Sequence, residues 1–177
     1  MAAVHLARHL GAEVFATASK DKRPVLRRMG VPAANVSDSR SAAFEEDVLR
    51  ATGGAGVDVV LNSLTGPLVD ASLRLLVRGG RFVELGKTDQ RDPERTAADH
   101  PGVVYHPFEL HRAGPDRMAE MLAELLALFD KGTLPLPPLS CLPVGAAAEG
   151  LHRLQRGRNT GKIALTVPRP WTPAAPC

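Results

Sequence analysis

Cysteine is nearly missing from this 177-residue chain: only Cys141 and Cys177 occur, far apart and outside any metal-ligand spacing. That excludes a disulfide-stapled scaffold and a zinc cluster, leaves neither thiol a good nucleophile candidate, and fits a reducing cytoplasm. Aromatic residues are scarce at 4%, and the formal charge of +3 comes from bases interspersed with acids, so nothing resembles a nucleic-acid surface. No apolar run approaches the length of about 20 residues that spans a bilayer, and the N-terminus has neither the charged region nor the apolar core of a secretion signal. A soluble, cytoplasmic protein with no membrane or nucleic-acid partner is expected. The histidines His5, His9, His100, His106, His111 and His152 show no ligand spacing with Cys, Asp or Glu, so no metal is expected. No Ser-His-Asp pattern occurs.

What is present is an alternation of short β-branched runs and amphipathic stretches. Met1 opens directly onto a helix to Leu10, with Val4, Leu6, Ala7 and Leu10 on one face and Gly11 as its stop; Val14 to Ala18 then reads as a buried parallel strand. A helix feeding such a strand normally comes after another strand, because a parallel pair needs a crossover. The chain therefore reads as a dinucleotide-binding unit entered in its middle, with its first strand and glycine-rich turn missing.

Further on, Lys20 to Met29 reads as a helix closed by Gly30, Val31 to Val36 as a turn and short edge strand, and Phe44 to Ala51 as a helix introduced by Ser41. Val57 to Leu61 is a strand containing Asp58, a puzzling acid if buried, and Gly66 to Val77 is a helix broken by Arg78-Gly-Gly80. Arg81 to Leu85 is a strand, Gly86 to Asp99 a polar loop, Val103 to Phe108 a strand, and Asp116 to Phe129 the longest helix. Its stripe of Met118, Met121, Leu122, Leu125, Leu126 and Phe129 reads as core or interface. Pro135 to Pro138 is a stiff connector, Gly145 to Gln155 a helix, Gly161 to Val167 a last strand, and 168–177 a proline-rich linker.

This order predicts an α/β, doubly wound Rossmann-type parallel sheet over 1–167, incomplete at its first strand and carrying a C-terminal return strand. In the strand order 3-2-1-4-5-6 the missing strand is central, so two half-sheets would face a gap. Ligands in such sheets bind beyond the carboxyl ends of the strands, which turns attention to the residues just past each strand.

After Val14 to Ala18 come Ser19, Lys20, Lys22 and Arg23, a hydroxyl with bases where an NAD site would carry an acid, and this suits the 2′-phosphate of NADPH. The plain alternative is a solvated helix start, although cations are unfavourable there. Asn62 and Ser63 end the next strand, beside a cofactor's ribose or nicotinamide, and they are also favoured helix N-caps. Gly86-Lys-Thr-Asp89 and Glu109 end two further strands. If those strands are neighbours, Lys87 and Glu109 approach each other, and a lysine oriented by a carboxylate can deliver a proton after hydride transfer. An incidental surface ion pair is the alternative. Gly161 and Lys162 offer a flexible turn and a cation for a phosphate or amide.

Several phrases together resemble the enoylreductase domain of modular type I polyketide synthases, within the medium-chain dehydrogenase/reductase superfamily. They are the opening Met1 to Val14, Gly56-Val-Asp-Val-Val-Leu-Asn-Ser-Leu64, Asp70 to Leu76, Gly79-Gly-Arg-Phe-Val-Glu-Leu-Gly-Lys-Thr-Asp89, Ala113 to Arg117 and Gly161 to Pro168. The resemblance implies NADPH-dependent reduction of an α,β-unsaturated thioester on an acyl carrier protein, within the remainder of a synthase module. It places Lys87 at the candidate proton donor and Glu109 where an Asp is usual, one methylene longer. Ser19 and Lys22 fall in the 2′-phosphate region, and Asn62, Gly161 and Lys162 in cofactor-contacting stretches. It further implies a zinc-independent branch, a substrate barrel and glycine-rich turn upstream of Met1, and weak or no NADPH binding by the chain as given. A stand-alone quinone or enoyl reductase with a misplaced start, or a non-catalytic remnant, are the competing readings.

Overall fold

The computed structural model describes residues 1–168; the linker expected over 168–177 lies outside them from residue 169 onward. Among the described residues fourteen regular elements alternate, helix with strand, and all strand pairs are parallel. They form three separate sheets.

The first contains β1 (Ala16–Ala18) and β2 (Val36–Asp38). Helices α1 (Ala2–His9) and α2 (Arg23–Arg28) cover it, with Val4, Leu26, Met29 and Val31 as its buried cluster. Leu10, expected on the apolar face of α1, is instead 74% exposed because the helix ends at His9 and Leu10 turns away as its cap. The second sheet runs in the order β3 (Val57–Asn62), β4 (Leu76–Glu84), β5 (Val104–Pro107). Helices α3 (Ala43–Ala51) and α4 (Pro67–Arg74) link the two sheets through a cluster of Phe44, Val48, Ala71 and Leu75, against which Phe15 and Val57 pack. No hydrogen-bonded pairing joins β1 to β3, so two half-sheets stand apart, in the arrangement expected of a sheet lacking its central strand.

Strand β4 begins at Leu76, so α4 stops earlier than the expected Val77; Arg78-Gly-Gly80 is an irregularity inside β4, marked by a register shift opposite Val57 and Val59, rather than a break before it. One face of this sheet is densely packed. Phe82 stacks on Tyr105 with ring centroids 5.3 Å apart, and Val69, Leu73 and Val103 close the cluster around them. Asp58 is exposed, which removes the puzzle of a buried acid; among the described residues β3 pairs with β4 alone and is an edge strand.

Within the expected polar loop a helix, α5 (Pro93–Asp99), is present, started by Pro93 and capped by Asp92, whose carboxylate accepts from the Arg95 amide at 2.8 Å. The long helix α6 (Gly114–Asp130) buries no residue; Leu122 and Leu126 are 57% and 52% exposed, so its stripe is not core among the described residues. Helical periodicity reports an apolar face without reporting what covers it. The third sheet pairs β6 (Leu139–Pro143), a strand that the sequence pattern does not predict, with β7 (Lys162–Thr166), beside α7 (Ala147–Gln155). The return strand thus joins β6 and not the larger sheet.

Candidate active site

Parallel pairing sends the carboxyl ends of β3, β4 and β5 out along one edge, and the three segments beyond them are knitted together there. Asn62, at the end of β3, is buried; its side-chain carbonyl accepts from the Leu64 amide at 3.1 Å, holding the turn that exposes Ser63. At the end of β4, Gly86 donates its amide at 2.6 Å to the carboxylate of Glu84 two residues before. A Cβ on Gly86 would stand 2.8 Å from that carboxylate, so this close approach favours a glycine.

Lys87 comes next, with its ammonium 2.5 Å from the carbonyl of Phe108 and 3.9 Å from the carboxylate of Glu109. The anticipated juxtaposition is present as a loose ion pair, while the lysine's shortest bond is to backbone. Glu109 also accepts from Arg112 at 2.9 Å and lies 3.4 Å from His111, so it anchors several bases at once. Beyond Lys87 the loop is clamped: Asp89 accepts from the Gly66 amide at 2.5 Å and pairs with Arg91, which also reaches Asp70 and the Gly66 carbonyl. The Arg91 amide donates to the Tyr105 hydroxyl at 2.9 Å. Burial pushes that phenol's pKa up, with the hydrogen bond from the Arg91 amide pulling the other way.

At the end of β1, Ser19 accepts through its carbonyl from the amides of Lys22 and Arg23, at 2.9 and 3.2 Å, which turns the basic segment back over the strand end. Arg23 pairs at 2.8 Å with Asp38, at the end of the neighbouring β2; Lys20 and Lys22 make no ion pair among the described residues. Gly161 and Lys162 are placed differently, at the start of β7, where the Lys162 amide donates to the Pro138 carbonyl at 2.8 Å. They belong to the third sheet and are not hydrogen-bonded into the edge that carries Asn62, Gly86, Lys87 and Glu109.

Sequence reasoning missed Glu84 and the Asp89-Arg91-Asp70 clamp. Glu84 did leave a signal: strand alternation puts it on the same face as Phe82, and a carboxylate in register with a core aromatic asks for partners.

The profile of the zinc-binding dehydrogenase family matches residues 31–165. Over 168 residues the chain is 54% identical to the pikromycin polyketide synthase component PikAII of Streptomyces venezuelae, a match that covers 95% of this chain and 4% of that protein. Among solved structures, the CurK enoyl reductase matches with a TM-score of 0.86 at 34% identity, over 94% of this chain and 50% of that one. The nucleotide-binding subdomain of the enoylreductase domain of PpsC from Mycobacterium tuberculosis matches at 35% identity with a TM-score of 0.64, over 75% of this chain and 76% of that one. The chain thus spans a small fraction of the curated synthase it matches and half of the CurK structure. Zinc, which the family description names, finds no fit: among the described residues no group of three or more His, Cys, Asp or Glu side chains could hold a metal ion.

Proposed function

The chain belongs to the zinc-binding dehydrogenase family, in its branch of polyketide synthase enoylreductases, and from that premise we propose that it forms the cofactor-binding part of an NADPH-dependent enoylreductase. Its substrate is an α,β-unsaturated thioester carried on an acyl carrier protein in the remainder of a synthase module, and it works in the cytoplasm. The observation that carries the reading is the approach of Lys87 and Glu109 at the carboxyl edge of β3–β4–β5.

NADPH, when bound, supplies the hydride that reaches the substrate's β-carbon. The chain's own residues do the rest. Lys87, oriented by the Phe108 carbonyl and Glu109, gives up one N–H bond as the α-carbon gains a proton. Glu109 keeps its carboxylate 3.9 Å from Lys87 while also holding Arg112 at 2.9 Å. The Ser19 hydroxyl with Lys20, Lys22 and Arg23 receives the 2′-phosphate, and Arg23 offsets the negative charge of Asp38 that would otherwise repel it. Ser63 and Gly86 would line the path toward the nicotinamide, with buried Asn62 bracing the turn behind them, and Gly161 and Lys162 would contribute from the third sheet.

The unpaired edges of β1 and β3 support a further point: the 177-residue chain alone holds NADPH weakly, and a parallel strand with a glycine-rich turn between them strengthens the binding. Fluorescence titration of the chain is expected to give a dissociation constant above about 100 μM, with NADH weaker still; low-micromolar binding would overturn this point. In the enoylreductase that contains the chain, Lys87→Ala is expected to lower kcat by about 100-fold or more with NADPH affinity nearly unchanged. An unaltered kcat would remove Lys87 from the reaction.

A further inference from the structure

Glu84 is one of the chain's most deeply buried side chains, at 0% exposure, and it makes no ion pair among the described residues. A carboxyl group so placed destabilises the fold unless hydrogen bonds replace the water it has lost. Its satisfaction is complete and specific. One oxygen accepts from the Asn62 side-chain amide and the other from the Gly86 backbone amide, both at 2.6 Å. The Glu84 backbone carbonyl accepts from the Phe108 amide at 2.8 Å, and the Phe108 carbonyl in turn receives the Lys87 ammonium at 2.5 Å. The Leu85 amide donates to the Asn62 backbone carbonyl at 2.9 Å. A single residue therefore ties together the ends of β3, β4 and β5, the three segments that carry Asn62, Lys87 and Glu109.

An apolar side chain could fill the same space at lower desolvation cost, since Phe82 and Tyr105 lie on the same face. The carboxylate contributes what an apolar group cannot, a defined distance between the segments that follow β3 and β4, while the backbone carbonyl of the same residue holds the end of β5. We propose that Glu84 is the positioning residue of this edge: by accepting from Asn62 and Gly86 it fixes the loop that holds Lys87 opposite Glu109. The inference rests on the enoylreductase reading for its consequence, but its geometry is independent of any cofactor.

Hydrogen exchange on the 177-residue chain tests the geometry. Glu84→Gln keeps the shape but leaves one carbonyl acceptor for two donors, so one bond is lost and Gly86 must share or forfeit its acceptor; its amide is expected to exchange about tenfold faster relative to the Val83 ladder amide. Val69→Ala loosens the same core without touching the edge, and it should leave that ratio unchanged. In the double variant Asn62→Asp/Glu84→Gln the bond polarity reverses, because the amide introduced at position 84 can donate to the carboxylate introduced at position 62 while its carbonyl accepts from Gly86. The ratio should then return to within about threefold of the original. A ratio unmoved by Glu84→Gln, or unrestored in the double variant, overturns the proposal.

A kinetic cycle in the enoylreductase containing the chain tests the consequence: Glu84→Gln should lower kcat about tenfold with NADPH KM held within about threefold, and should have no further effect on Lys87→Ala. Additive losses would show that Glu84 does not act through Lys87. Should Lys87→Ala alone leave kcat intact while the exchange ratios behave as expected, the positioning of the edge stands and the proton-delivery reading falls.

Discussion

The β3–β4–β5 sheet and the β6–β7 pair are both parallel, both flanked by helix, and quite unlike in what holds them. In the first, Val69 and Phe82 are at 0% exposure and Leu73 at 3%, so hydrophobic burial and hydrogen bonding reinforce each other. In the second, five residue pairs are in register from Leu139 to Pro143, yet Leu139 is 62% and Leu151 67% exposed. Backbone pairing and core formation are therefore separable in this chain. The candidate site sits on the region that has both, where its side chains are held by a packed sheet; Gly161 and Lys162 sit on the region that has pairing alone.

The sharpest way to break this contrast is Phe82→Ala, which removes a fully buried ring and its stacking partner's contact; a loss of about 3–5 kcal/mol is expected in denaturant unfolding. Leu165→Ala, at a side chain 44% exposed on β7, should cost less than about 0.5 kcal/mol by the same measurement. Equal losses would erase the distinction between the regions.

Gly161→Ala attacks the second region at its tightest backbone approach. The residue has φ +79°, and an added Cβ would lie 2.0 Å from the Pro138 carbonyl, at the point where β7 begins to pair. A cost of about 1–3 kcal/mol to the β6–β7 pairing is expected, read as lost amide protection at Ala164 with Phe82 unaffected.

Smaller effects test the seams. Tyr105→Phe deletes the hydroxyl that accepts from the Arg91 amide, and it should cost about 1 kcal/mol and loosen the loop clamp after Lys87. The Glu45–Arg74 pair, 2.7 Å apart, links α3 to α4, and the Arg74 hydrogen bond holds the Glu45 carboxyl below its ordinary value of 4.5. Because the folded value is the lower one, this stabilisation is present above about pH 4.5 and is lost as pH falls through the depressed value. Glu45→Gln should remove that part of the acid dependence at a cost below about 1 kcal/mol, given that Arg74 is 52% exposed. An acid profile identical in the variant would count against the pair.

Much of this layout is legible in the residues themselves. Val57-Asp-Val-Val-Leu61 and Arg81-Phe-Val-Glu-Leu85 are strands because branched and aromatic side chains alternate with others between turn signals, and Gly66-Pro67 marks the start of α4. Reading the strand ends then singles out Asn62, Lys87 and Glu109 as candidates, and the structure puts all three just at or beyond the carboxyl ends of β3, β4 and β5. Strand β6 escapes because Pro138 precedes it and Pro143 ends it, and its partner among the described residues lies more than twenty residues away, so no local pattern announces it. Helix α5 is announced by Asp92-Pro93-Glu94, a cap and first turn with too little apolar face behind it to stand out. The exposure of α6 and of Asp58 depends on what packs against them, which periodicity does not encode.

The proposed strand-end cofactor site meets its plainest test when NADPH is titrated into the isotope-labelled chain and the backbone amide resonances are followed, because even millimolar binding shifts them. Movements are expected to concentrate at Ser19 to Arg23, Asn62 to Ser63 and Gly86 to Lys87, at the carboxyl ends of the strands. Resonances there that stay fixed at saturating NADPH, while others move, would contradict the placement of the cofactor along that edge.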